Sequence, residues 1–181
     1  YDGDKHSAWD EYCRYGGMPL VLQRTTDAAK QQYLKDLFRK VYLKDIVARY
    51  GLRADNELAN VTDIVASDIG SLLNPLRIAN TMKTAKNKSV SQNTIEKYLD
   101  YLQDSFLIDQ AVRYDIKGRR YISTPQKYYF TDVGLRNARI NFRQQEENHI
   151  MENVIYNELL IRGFAVDVGM VEVNVSDNGK P

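Results

Sequence analysis

The sequence is poor in the residues that bind metals and form disulfides. Cys13 is the single cysteine among 181 residues, so no internal disulfide can form and no thiolate zinc site can be assembled. The two histidines, His6 and His149, lie too far apart in the sequence to suggest a metal site by their spacing. This residue usage is typical of a reducing compartment, and we therefore expect a cytoplasmic protein.

Long apolar runs and an excess of one charge are also missing. No stretch approaches the roughly 18 apolar residues that a membrane-spanning helix needs, and no signal peptide opens the chain, so we expect no membrane partner. The net charge is +1, which does not indicate a strongly basic nucleic-acid binder. The sequence also lacks a Gly-x-x-x-x-Gly-Lys-Ser/Thr phosphate-binding loop, so this chain itself is not expected to hydrolyse ATP.

Apolar residues that recur every three or four positions predict a mostly helical chain. The predicted helices cover about residues 27–50, 56–71, 75–85, 91–105 and 147–162, with a short helix after Leu135. Asn74 and Pro75 mark the start of the third of these helices, because Asn is a good N-cap and Pro is favoured at the first helical position. Gly16 and Gly17 before Pro19 predict a chain reversal near the N-terminus.

After Ser105 the apolar period changes from 3.6 to 2, which indicates strands. Two strands are predicted over about 107–114 and 121–131, around a basic hairpin tip. Pro125 interrupts the second strand, so irregular pairing is expected there. Residues 164–175 alternate as two further short strands, and the polar segment 143–148 is the best domain boundary in the chain.

The helices over 75–85 and 91–105, followed by the ribbon, have the order of a winged helix-turn-helix. In DNA-binding versions the second helix enters the major groove, and the residues at its start contact the bases. Asn and Gln can bind bases, Ser and Thr can bind bases or phosphates, and basic wing residues can bind the backbone. The candidate DNA-binding residues are Ser91, Gln92, Asn93, Thr94, Lys97, Lys117, Arg119 and Arg120.

The same region is equally compatible with a role that does not involve DNA. Glu96, Asp100 and Asp104 place acidic side chains along the exposed side of the second helix. From Lys83 to Arg120 eight basic residues stand against five acidic ones, which is a modest excess. Ser and Asn at a helix start are also ordinary caps. Binding to double-stranded DNA and contact with another protein, or with a second copy of the chain, therefore both stay open.

Several residues that can do chemistry are expected to have structural roles. Asp45 lies among apolar neighbours on the long predicted helix, where it can pair with a buried lysine or arginine. His149 precedes a helix and is expected to be a capping or surface histidine. Trp9, Tyr12 and Tyr15 are expected to pack beneath the chain reversal at Gly16.

Six short stretches, spread in order over nearly the whole chain, carry a resemblance to a known family. They are YCRYGGMP (12–19), VYLKDI (41–46), SQNTIEKYL (91–99), FLI (106–108), KYYFTDVGL (127–135) and MENVIYNEL (151–159). Together they resemble the domain of unknown function found C-terminal to the ATPase core in a widespread group of prokaryotic AAA-type ATPases. The resemblance implies a P-loop ATPase core before Tyr1, then a winged helix, then a restriction-endonuclease-like domain. The parent protein would use ATP and Mg²⁺, and no cofactor is expected for this chain alone.

The expected fold is α+β and mostly helical, in three parts. Residues 1–55 would form a helical segment, 56–142 the winged helix-turn-helix, and 143–181 the truncated start of the nuclease-like domain. Chain ends at Tyr1, which is not Met, and at Pro181 also suggest a longer protein. The expected function is a non-catalytic module that binds or positions DNA for the ATPase.

The nuclease-like part brings one catalytic candidate. Glu152 matches the acidic residue on the helix of that family, and the resemblance places a Glu-x-Asp-Phe strand beyond Pro181. Metal-dependent phosphodiester hydrolysis needs several carboxylates around one ion, so Glu152 can be catalytic only in the parent protein. The alternative for Glu152 is a helix-end charge or a salt-bridge partner.

Overall fold

A computed structural model describes residues 4–52, 55–115, 118, 120–143 and 146–169, and of Asp55, Arg120 and Thr124 only the backbone. Its α-helices are α1 (Lys5–Tyr15), α2 (Asp27–Leu37), α3 (Lys44–Arg49), α4 (Asp55–Ser67), α5 (Pro75–Lys86), α6 (Gln92–Asp104), α7 (Val133–Arg139) and α8 (Glu147–Ile161). Its strands are β1 (Leu72–Leu73), β2 (Ile108–Asp115), β3 (Arg120–Phe130) and β4 (Val168–Gly169). The expected α+β class is confirmed. Among the described helices, none has the length and apolarity needed to span a membrane.

The long helix predicted over 27–50 is present, but its winding changes in the middle. Thr26 caps its start by accepting a hydrogen bond from the Ala29 N–H at 3.2 Å. Between α2 and α3 the backbone winds as a π-helix over Phe38–Leu43. There the N–H of Lys44 donates to the carbonyl of Arg39, five residues earlier. Periodicity did not reveal this segment, because one wider turn shifts the apolar pattern by a single residue.

A helix at the N-terminus, α1, was not predicted. Asp4 caps it by accepting from the His6 N–H at 3.0 Å, and Gly16 ends it with a φ of 71°. The chain reversal at Gly16 is confirmed. Tyr15 is buried as expected, and the ring of Tyr12, which is 39% exposed, lies against Gly17 of the turn. Trp9 is 41% exposed, and the prediction that it packs beneath the turn was wrong.

The middle of the chain runs α4, β1, α5, α6, β2, β3, and each helix predicted there is confirmed. The sheet order is β1-β3-β2-β4, with the first three strands antiparallel and β4 parallel to β2. The pairing of β2 with β3 shifts register between Ala111 and Arg113, opposite the segment that contains Pro125, which confirms the expected irregularity. Of the two strands predicted over 164–175, the second lies outside the described residues.

One hydrophobic cluster joins the N-terminal helices to the middle of the chain. It brings Leu34 and Phe38 together with Leu58 of α4 and Ile95 of α6. A second, small cluster of Ala111, Tyr129 and Tyr156 lies beneath α8. Burial of these apolar side chains is the main favourable term in folding the described part of the chain. The division into three parts at residues 55 and 142 stays a prediction.

The short helix α7 is the point on which α1, α2, α4 and α8 converge. The Asp132 carboxylate caps it by accepting the Leu135 N–H at 2.9 Å, and it also accepts the Gly17 N–H at 2.7 Å. Burial raises the pKa of Asp132, while the backbone N–H donors act against that shift. Asn137 donates to the carbonyls of Cys13 and Arg14, which are free at the end of α1.

Arginines of α7 satisfy carbonyls of α4 in the same way. The guanidinium of Arg136, which is completely buried, donates to the carbonyl of Ala66 at 2.7 Å. Arg139 donates to the carbonyl of Ala59 at 2.8 Å. Burial is the cause that lowers the pKa of Arg136, to about 10. The polar side chains of α7 are therefore occupied largely by structural contacts.

Candidate nucleic-acid interface

The turn between α5 and α6 is built by side-chain caps that the sequence encodes. Asn74 starts α5 by accepting the Arg77 N–H at 2.7 Å. Asn87 ends it in the left-handed conformation, with a φ of 51°, which Asn adopts more easily than most residues. Ser91 then starts α6 by accepting the Thr94 N–H at 3.1 Å. The first turn of α6 is therefore held in one orientation relative to α5.

The five candidate residues on α6 fall into two groups. The hydroxyls of Ser91 and Thr94 lie 2.8 Å apart and form the cap, so their first role is structural. Gln92, Asn93 and Lys97 are exposed, and within the described part of the chain their side chains have no partner. Buried Ile95, Tyr98, Leu99 and Leu102 hold the opposite side of the helix in the core.

Cations that sequence reasoning did not select lie at the same turn. Lys83 and Lys86 in the last two turns of α5, and Lys88 just after it, are all exposed. Together with Lys97 on α6 they give four exposed lysines between residues 83 and 97. The sequence signal for them is the polar turn Lys86-Asn87-Lys88-Ser89, which follows the helix predicted over 75–85.

Acidic residues occupy the other flank and the far end of α6. Glu96 and Asp100 line a groove of about 490 Å³ between α6, the start of α5 and the sheet. Burial raises the pKa of Tyr128, at the side of this groove, to about 12, and the charges of Asp100 and Glu96 add to the effect. Asp104, in the last turn, accepts a hydrogen bond from the Tyr50 hydroxyl at 3.0 Å. Gln92, Glu96 and Asp100 thus share the side of α6 that faces this groove, while Asn93 and Lys97 lie outside its lining.

The structure describes only part of the predicted wing tip. Lys117 and Arg119 lie outside the described residues, and of Arg120 the structure describes only the backbone, as the first residue of β3. The N–H of Gly118 donates to Asp115 at 3.0 Å, which is a contact typical of a tight hairpin turn. The ribbon that carries the tip is present, with Asp115 paired to Arg120 in register.

Glu152, the catalytic candidate, has neighbours that neutralise it. Its carboxylate lies in the middle of α8, 2.5 Å from the Lys127 ammonium, and it also accepts a hydrogen bond from the Tyr129 hydroxyl. Burial is the first cause that raises the pKa of Tyr129, and the bond to Glu152 is the second. Within the described residues no group of three or more His, Cys, Asp or Glu is placed to hold a metal ion. These contacts are those of a salt-bridge partner.

Two other residues singled out in the sequence have local partners. Asp45 pairs with Arg49 one helical turn away, at 2.5 Å, and both side chains are about half exposed. The expectation of a buried partner for Asp45 was therefore wrong. His149 lies in the first turn of α8, with one ring nitrogen 3.4 Å from a Glu146 oxygen. Its ring is half-buried next to Gly70, so it does not cap the helix and is not fully at the surface as expected.

Comparison with known proteins gives a family without an assigned activity. The family described as a domain of unknown function (DUF8612) matches residues 6–146. An uncharacterized protein of Haemophilus influenzae is 37% identical over 164 residues, which are 91% of this chain and 40% of that protein. The uncharacterized protein MJ1544 of Methanocaldococcus jannaschii is 26% identical over 155 residues, which are 86% of this chain and 34% of that protein. The search of solved structures found no match. This chain therefore spans less than half the length of either relative, and it belongs to the DUF8612 family.

Proposed function

We propose that residues 56–142 form a winged helix-turn-helix that binds duplex DNA, as the DNA-positioning module of a longer AAA-type ATPase. One observation carries the proposal: the start of α6 is rigidly capped and exposes Gln92, Asn93 and Lys97 beside the lysines of the preceding turn. In helix-turn-helix proteins these are the positions that contact base edges. The order α4, β1, α5, α6, β2, β3 also supports this fold.

The distribution of charge along α6 supports the same orientation. Lys88 precedes its first turn in the chain and Lys97 lies in its second turn, whereas Asp104 lies in its last turn. Glu96 and Asp100 line the groove towards the sheet. A helix that approaches DNA by its N-terminal end keeps acids at its C-terminal end farther from the phosphates, so their repulsion is weaker.

Titration of duplex DNA at several salt concentrations tests this function. We compare the wild-type chain with Asn93→Ala/Lys97→Ala, and with Lys86→Ala/Lys88→Ala. The first variant should lose sequence preference and at least about tenfold in affinity, because a base contact is worth about 1–3 kcal/mol. The second should weaken binding equally on all sequences and reduce the salt slope by about 2. Wild-type binding that both variants retain unchanged would refute the assignment of this surface.

A second function has an observation in its favour. The acidic side of α6, with Glu96 and Asp100 beside the 490 Å³ groove, suits a basic segment of another protein or of a second copy. If Glu96→Gln/Asp100→Asn converts a dimer into a monomer in sedimentation experiments while DNA is not bound, this protein-interaction function replaces the first. A monomeric wild-type chain that binds DNA excludes the self-association.

The proposal also includes the ATPase core and the nuclease-like domain of the parent protein. A core that binds ATP and Mg²⁺ would lie outside this chain, which covers 40% of the Haemophilus influenzae relative. For a nuclease, the pairing of Glu152 with Lys127 favours a structural role, because a metal ion would have to compete with the ammonium group.

A further inference from the structure

A second surface, formed by other residues, concentrates positive charge. A groove of about 770 Å³ lies where α2 and the π segment meet α4 and α7. Its lining contains five basic side chains and one carboxylate, an excess of four positive charges in a chain whose net charge is +1. The basic residues are Lys35, Arg39, Lys40, Lys44 and Arg139. None of these residues lines the groove beside α6.

The π segment brings part of this charge together. In a regular α-helix, side chains five residues apart point about 140° away from each other, since each residue advances the helix by about 100°. Here the hydrogen bond from the Lys44 N–H to the Arg39 carbonyl widens the turn, and both side chains line the one groove. Segments of this kind are rare and occur frequently at functional sites.

The charges of the groove are only weakly compensated inside the protein. Asp36 lies 3.3 Å from Arg39 and 3.6 Å from Lys40, in pairs whose basic partners are largely exposed, and such pairs contribute little. Lys44 is exposed and has no ion pair within the described part of the chain. Arg139 is different, because its guanidinium is held by Asp63 and by the Ala59 carbonyl. Arg39, Lys40 and Lys44 are therefore exposed cations, whereas the Arg139 guanidinium is held in place by its partners.

The lining favours phosphates over bases. The one aromatic ring, Phe38, is 2% exposed and lies beneath the Arg139 guanidinium, 5.4 Å from its ring centre, so a base cannot stack on it. From Lys35 to Lys44 the cations extend over about 13 Å of helix, at about 1.5 Å per residue. One DNA strand presents a phosphate about every 3.4 Å of helix axis, and because the strand winds around that axis its neighbouring phosphates lie farther apart than this in space, so a row of this length spans about two or three phosphates.

We propose that this groove binds the phosphate backbone of DNA without reading its sequence, as a contact additional to α6. The proposal takes its partner from the function proposed above, but it concerns different residues and is tested separately. Backbone contacts of this kind fix the position of a protein on the duplex, whereas base contacts choose the sequence.

The test uses two variants of the full chain with equal loss of charge. Arg39→Gln/Lys40→Gln/Lys44→Gln removes the three exposed cations of the groove, and Lys5→Gln/Arg24→Gln/Arg162→Gln removes three exposed cations elsewhere. The logarithm of the association constant for duplex DNA is measured against the logarithm of salt concentration. The groove variant should lower the slope by about 2–3 and weaken binding about tenfold or more on every sequence, since each phosphate contact contributes about 0.9 to the slope. The control variant should keep the wild-type slope, and urea unfolding checks that both variants are folded.

The outcomes separate this proposal from the one on α6. A groove variant with the wild-type slope refutes the groove, even if Asn93→Ala/Lys97→Ala abolishes sequence preference. Conversely, a groove variant that loses binding while the α6 variant binds normally refutes α6 and supports the groove. Inorganic triphosphate is tested alone as a second ligand. If triphosphate saturates the groove but duplex DNA does not bind there, the site is one for small phosphates and the proposal is wrong. The proposal is also wrong if the wild-type chain binds no DNA.

Discussion

Gly134 lies in the first turn of α7, where it meets the carbonyl end of α1. A Cβ atom placed there would lie 2.0 Å from the Tyr15 carbonyl oxygen and 2.9 Å from the Gly16 nitrogen. Both neighbours are backbone atoms, so neither can rotate away as a side chain does. This close contact between backbones lets the short helix α7 join segments that lie more than 100 residues apart in the sequence.

Replacing Gly134 by Ala tests this close approach. In an ordinary helix the change would stabilise the protein by about 1 kcal/mol, because Ala has the higher helix propensity. Here we expect it to lower the free energy of unfolding by about 3 kcal/mol, because α1 and α7 must separate. The measurement is urea unfolding followed by circular dichroism.

Gly51→Ala is the matched control for the change at Gly134. Gly51 has a φ of 59°, and its Cβ would meet nothing within 4 Å, so we expect a loss of only about 1–2 kcal/mol from the left-handed backbone. Equal losses in the two variants would show that steric contact at α7 is not the cause.

Among the elements, α8 shows how buried polar groups can attach a helix to a sheet beside an apolar contact, here that of Tyr156 with Tyr129. The Asn153 side chain is completely buried and forms two hydrogen bonds with the last residue of β3, one to the Phe130 N–H at 2.8 Å and one to its carbonyl at 2.7 Å. Its amide therefore takes the place of a neighbouring strand. Asn157 adds a bond of 2.9 Å to the same carbonyl.

We expect Asn153→Ala to cost about 2–4 kcal/mol, because the Phe130 N–H is then left buried without an acceptor. Hydrogen exchange of the Phe130 amide should become faster by a corresponding factor, and native-state exchange followed by NMR measures it. Asn157→Ala is the control, with an expected cost of about 1 kcal/mol, since the Phe130 carbonyl keeps its bond to Asn153. An unchanged exchange rate in Asn153→Ala would show that α8 is held by other contacts.

The elements also show which parts of the fold the sequence could predict. Repeats of apolar residues predicted α4, α5 and α6, because those helices bury one side in a common core. The two-residue strand β1 and the π segment were not predicted, since neither is long enough to leave a period. The sequence contains the lysines near α6 but does not mark them as part of the candidate interface, because their position relative to its first turn depends on the geometry of the turn.

At the scale of the whole molecule, what the sequence could not predict is the network of buried polar groups. Arg136, Asn137 and Asn153 bond to backbone carbonyls 70, more than 120 and 23 residues away. No local pattern marks such contacts, because the partner is a carbonyl that every residue has. The groove at the π segment was missed for the same reason, since α7 supplies Arg139 to a surface built by α2.

Buried tyrosines make the stability of the whole molecule depend on alkaline pH. Burial is the main cause that raises the pKa of Tyr98 to about 12, and its hydrogen bond of 3.1 Å to Glu57 adds to the shift. The pKa of Tyr128 is also raised to about 12 by burial and by two carboxylates of α6. In the unfolded chain both phenols titrate near 10.

Between pH 10 and 12 the folded chain therefore holds more protons than the unfolded chain, so the free energy of unfolding falls as pH rises through this range. Each of the two tyrosines contributes about 2–3 kcal/mol to that fall, and the contribution is fully present below about pH 10. Urea unfolding at about pH 9 and about pH 11.5 measures the fall, and Tyr98→Phe/Tyr128→Phe should reduce it by about 3 kcal/mol or more. Loss of the Glu57 bond lowers the stability of that variant at both pH values equally, so the difference between the two pH values isolates ionisation. A variant whose stability falls as steeply as that of the wild type would show that these phenols do not control the alkaline limit of the fold.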